Sequence, residues 1–100
     1  MTVNVPLPSN SRVALQRAGY AAFRDPRTGS ESYVRRLSNG FYPRFHLYAE
    51  ERGAHLQLNL HLDQKQPSYG GGSHMHSGEY DGSTVEREMA RLLAALPAAN

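Results

Sequence analysis

Two consecutive stretches of the chain alternate between apolar and polar residues. Phe41, Phe45 and Leu47 fall on one face of an extended segment over 41–50, and Leu56, Leu58, Leu60 and Leu62 on one face of the next, 54–64. Successive side chains of a strand point to opposite faces, so this period of two predicts a pair of half-buried strands. Glu51, Arg52 and Gly53 are read as the turn between them. A short turn there sets Leu47 near Leu56 and Phe45 near Leu58. A one-residue slip would bury the polar set instead, so the parity of the pairing is strongly specified.

Upstream, 20–24 and 31–37 read as two shorter strands. They are joined by "DPRTGS", where Pro26 presets a turn and Gly29 admits positive φ. Asn39-Gly40 has the composition of a type I′ hairpin turn leading into the third strand. Pro43 has no N–H to give a ladder, which predicts a bulge or a locally unpaired position.

A different period appears at the two ends. "RVALQRAGY", residues 12–20, predicts a short helix capped by Asn10 or Ser11 and ended by Gly19, with Tyr20 folding back on Leu15. Val85, Met89, Leu92, Leu93 and Leu96 form one helical stripe closed by Pro97, with Ser83 and Glu86 spaced as a capping box. The resulting expectation is a single α+β domain over 1–100. It is a two-layer sandwich in which a four-stranded antiparallel meander carries both helices on its Leu/Phe face, in the order α-β-β-β-β-α.

Composition narrows the class. With 39% hydrophobic and 20% charged residues among 100, the chain has the balance of a globular domain, not of a disordered one. No apolar run approaches the ~20 residues of a membrane span. The N-terminal residues lack the pattern of a signal peptide, and the expected location is the cytoplasm. The absence of cysteine removes disulfides and thiolate ligands, so any metal must be held by His and carboxylates.

The candidate chemistry lies on the polar face of the last two strands and in residues 64–82, a long loop with three consecutive glycines. His46, His55 and His61 alternate with Asn, Gln and Tyr where Thr, Lys and Glu are the commoner filling. His61 and Asp63 share one strand face, His46 is expected roughly opposite Gln57 or Asn59, and the loop adds His74, His76 and Glu79. Neutral imidazole is a common metal ligand. Zinc or another divalent metal held by some of His46, His61, Asp63, His74, His76 and Glu79 is therefore the leading expectation, with a hydrolytic use the most natural.

The competing expectation comes from charge. Residues 1–50 hold seven arginines against three acids, a net of +4, whereas 51–100 have a net of −2. Arg24, Arg35, Arg36 and Arg44 lie among aromatic residues, a combination suited to single-stranded nucleic acid or to a protein partner. The expected partners are thus a metal or small ligand first and a nucleic acid second, with a homodimer also compatible.

Overall fold

A computed structural model describes residues 1–26, 28–64, 78–79 and 82–97, of which 78 and 79 are described as backbone only. Its elements run β1 (Thr2–Pro6), α1 (Ser11–Arg17), β2 (Ala21–Arg24), β3 (Glu31–Arg36), β4 (Arg44–Arg52), β5 (His55–Asp63), β6 (Gly78–Glu79) and α2 (Ser83–Ala95). The α+β class is as expected. The strand count is corrected: five antiparallel strands lie in the order β1-β5-β4-β3-β2, and the two-residue β6 pairs with the end of β5.

The additional strand is β1, which precedes the first helix. It pairs antiparallel with β5, from Thr2 opposite Asn59 to Pro6 opposite His55. Its sequence offers only Val3 and Val5 as apolar residues, and its partner lies some fifty residues away, so no hairpin signal marks it. The consequence for β5 is direct: it is an inner strand, paired with β4 on one side and β1 on the other.

The β4–β5 register also differs from the sequence expectation. Glu51 and Arg52 continue the strand, so the chain turns instead at Gly53, where φ is +60°, and Ala54. The pairing moves by an even number of residues and the faces are preserved. Leu47 is opposite Leu60, Phe45 opposite Leu62 and His46 opposite His61.

The β3–β4 connection is longer than a two-residue turn. Its ladder ends with Leu37 N–H donating to the Pro43 carbonyl at 3.1 Å, and Gly40 does not have positive φ. Pro43 precedes the paired residues, as its missing N–H requires. Phe41 is not part of the core. It is 62% exposed and lies under the Arg36 guanidinium.

Both helices pack on the leucine face. Leu15, Ala18 and Tyr20 from the α1 region and Val85, Met89 and Leu92 from α2 join Phe45, Leu47, Leu56, Leu58, Leu60 and Leu62 in one core. Each fully buried leucine contributes about 1.5–3 kcal/mol of hydrophobic stabilisation.

Helix α1 starts at Asn10, whose Oδ1 accepts from Val13 N–H at 3.0 Å. It ends with Gly19 at φ +102°. There Tyr20 N–H donates to Leu15 O and Gly19 N–H to Gln16 O, the reciprocal pair of a Schellman motif. Helix α2 has no capping box. Gly82 is the N-cap residue and Ser83 is already inside the helix.

One charged group is embedded in this layer. Glu88 is 5% exposed and accepts from Tyr20 Oη at 2.6 Å and from Arg91 at 2.8 Å through both Nε and Nη2. Arg35 approaches it at 3.4 Å, and Arg91 also donates to the Ala18 carbonyl. Burial alone would raise the Glu88 pKa, but these donors and charges outweigh it and hold the carboxyl below its ordinary value. Burial and the neighbouring carboxylate push the Tyr20 hydroxyl well above its own.

Candidate metal centre

The site begins with the strand parity already visible in the alternation. With the leucines turned toward the helices, Arg44, His46 and Tyr48 of β4 and Asn59, His61 and Asp63 of β5 occupy the opposite face. The register then sets them in rows across the sheet: Arg36, Arg44 and Asp63 in one, Val34, His46 and His61 in the next.

Asp63 is the hub. Its Oδ1 is 3.0 Å from His61 Nε2, and its Oδ2 is 3.3 Å from both His46 Nδ1 and Arg44 Nε. The three side chains are largely withdrawn from solvent, at 8% exposure for His61, 11% for His46 and 19% for Asp63. Desolvation on its own would raise the Asp63 pKa. The hydrogen bonds and charges of His46 and His61 outweigh it and hold the carboxyl well below the usual carboxylate range. Asp63 is therefore an anion in the folded protein, able to accept bonds or ligate a cation.

Ring packing orients the imidazoles. The His46 and His61 centroids are 4.9 Å apart, and Tyr48 lies 4.7 Å from His46 and stacks at 5.7 Å on His61. The edge of Phe23 meets His46 at 6.4 Å. Ser32, almost fully buried on β3, completes the arrangement with Oγ 2.7 Å from His46 Nε2. With Nε2 engaged by that hydroxyl, Nδ1 is the His46 nitrogen that faces Asp63.

One ligand atom from each of His46, His61 and Asp63 lies within 4.8 Å of the others, so the group could hold a metal ion. Three of the sequence candidates are thereby brought together. The other three are not placed with them. His74 and His76 lie outside the described residues, and Glu79 is described only as backbone, in register with Leu62 while Gly78 is in register with Asp63. Any closure of residues 64–82 over His61 likewise lies outside the described residues.

The basic candidates divide between the two faces of the sheet. By register, Arg24 and Arg35 are on the helix side, where they pair with Glu31 and Glu88. Arg36 and Arg44 are on the side of His46, His61 and Asp63. The Arg44 guanidinium stands 4.8 Å from the Tyr42 ring centre and 5.3 Å from that of Phe23.

Sequence reasoning did not find Ser32, because a lone serine in a short strand carries no signal until the register places it beside His46. It also missed the direct opposition of His46 and His61, which depended on the turn position. An open cleft lined by Glu31, Tyr48, Ala49, Glu50, Gln57 and Asn59 lies beyond the histidine row, on the side away from Arg36 and Arg44. No helix among the described residues is long and apolar enough to cross a membrane. No family model matches this chain, nor does any curated protein or solved structure, so the geometry carries the functional reading.

Proposed function

We propose that the polar face of the sheet is a transition-metal binding site, with His46 Nδ1, His61 Nε2 and an Asp63 carboxylate oxygen as protein ligands and zinc as the favoured ion. The observation that carries this reading is the convergence of two imidazoles on one half-buried carboxylate. Imidazole donors favour zinc, copper, iron or nickel over calcium and magnesium, which prefer all-oxygen shells. Two histidines and one carboxylate also make up the protein share of a catalytic zinc shell, with the remaining position open to water or substrate.

The distances are compatible with this assignment. Two nitrogens that share a zinc at about 2.0–2.1 Å stand no more than about 4.2 Å apart. The candidate atoms already lie within 4.8 Å, so small side-chain rotations suffice. Ser32 accepting the His46 Nε2 proton would fix the ring orientation, and Arg44 would hold the second Asp63 oxygen. Such supporting contacts commonly accompany metal ligands. When bound, the metal would acidify a coordinated water or polarise an oxygen of a substrate.

The test is metal content by mass spectrometry for protein purified without a histidine tag, followed by thermal melting with zinc and with chelator. Near-stoichiometric metal and a zinc-dependent rise in Tm that His61→Ala abolishes are expected. A protein that takes up no transition metal and melts identically in zinc and in chelator would rule the reading out.

A further inference from the structure

Two arginines stand directly opposite each other beside this centre. Arg36 of β3 is the register partner of Arg44 of β4, and Asp63 of β5 is in turn the partner of Arg44. Like charges at directly opposite positions of an antiparallel pair are destabilising, and only Arg44 has an acidic partner to offset that. Arg36 forms no ion pair among the described residues; its guanidinium rests 4.5 Å above the Phe41 ring. Arg44 is 12% exposed and is positioned through Nε on Asp63 and by the rings of Tyr42 and Phe23, and its two Nη groups donate to no described residue.

A guanidinium that is held rigid while its outer donors stay unused is preorganised for an oxyanion, because the planar fork matches two oxygens at once. Its location sets the charge of the ligand. A centre with a dication, the Asp63 carboxylate and neutral histidines has one positive charge to spare, and Arg44 and Arg36 add two more. A dianion such as a phosphate monoester matches that balance better than a single carboxylate does.

We propose that Arg36 and Arg44 form an oxyanion subsite adjoining the metal position, and that the ligand class of this face is a small phosphate or phosphate ester. One oxygen would meet the metal and others would meet the guanidinium donors. This rests on the metal reading above, which supplies the second anchor.

Calorimetric titration of inorganic phosphate into zinc-loaded protein tests it, using wild type, Arg36→Ala and Arg44→Lys. Arg36 is exposed and makes no ion pair among the described residues, so its removal leaves the fold in place; Arg44→Lys keeps the charge but loses the fork. Wild type is expected to bind phosphate, and each variant to bind it about tenfold more weakly, a loss of about 1.4 kcal/mol, with zinc affinity unchanged within about twofold in Arg36→Ala. Zinc uptake with no phosphate binding, or phosphate binding that is equal in all three proteins, would overturn the subsite alone. Failure to take up zinc would instead overturn the metal reading, and the bridging ligand with it.

Discussion

His46 and His61 face each other across β4 and β5 with ring centroids 4.9 Å apart, and each contacts a different oxygen of Asp63. The carboxylate is the joint of the assembly. Asp63→Ala removes the acceptor shared by two imidazoles and Arg44 and leaves them partly buried without it. A loss of about 1–3 kcal/mol is expected, read as a lower urea midpoint at unchanged slope. Asp63→Asn, which keeps an acceptor oxygen, should lose less.

Metal occupancy should appear as stability by mass action. At a free zinc concentration one hundred times the Kd, the folded state gains about 2.7 kcal/mol. The corresponding rise in Tm should vanish in both His46→Ala and His61→Ala. A substitution at His55, exposed on the same strand as His61, should leave it intact.

Opposite pH dependences are built into the helix layer. The Glu88 pKa is lowered in the folded state, so its contribution is present above the unfolded value of about 4.3 and is lost as pH falls below it. The Tyr20 pKa is raised, so its contribution is present below about pH 10 and is lost as pH rises beyond it. Urea midpoints measured across pH should therefore fall on both sides. Glu88→Gln should flatten the acid limb and Tyr20→Phe the alkaline one. At neutral pH, Tyr20→Phe should cost about 0.5–1.5 kcal/mol for the lost hydrogen bond.

Gly19 is poorly tolerant of a side chain on two counts. Its φ of +102° disfavours L residues, and an added Cβ would sit 3.3 Å from Arg35 Nε. Gly19→Ala should destabilise by roughly 1–2 kcal/mol. Gly53→Ala should cost less despite its own positive φ, because the new methyl would meet open space. Thermal melts of the two variants side by side measure the difference.

How far the sequence could be read follows from the range of each signal. Alternation separated Phe45 and Leu47 from Arg44, His46 and Tyr48, and Leu56, Leu58, Leu60 and Leu62 from Gln57, Asn59, His61 and Asp63, and hence set His46, His61 and Asp63 on one side. The register needed the turn, and Glu51 and Arg52 carry no sign that they extend a strand. Val3 and Val5 alone were too short a pattern to announce β1. Glu88 did fall on the apolar stripe between Val85 and Leu92, a local clue that this position is buried. Its partners Tyr20 and Arg35 come from distant segments and became visible only in three dimensions.

All three ligands of the proposed centre lie within one hairpin, residues 44–63, whose strands are joined by a two-residue turn. β1 closes onto the far side of β5 from the other end of the sequence, so its pairing carries a much larger loop-closure cost. The two events are separable, and the local one can come first. A cation held by His46, His61 and Asp63 would then act on folding as a register lock. It would favour the single pairing that sets the two histidines face to face, and would reward that choice before the rest of the sheet assembles.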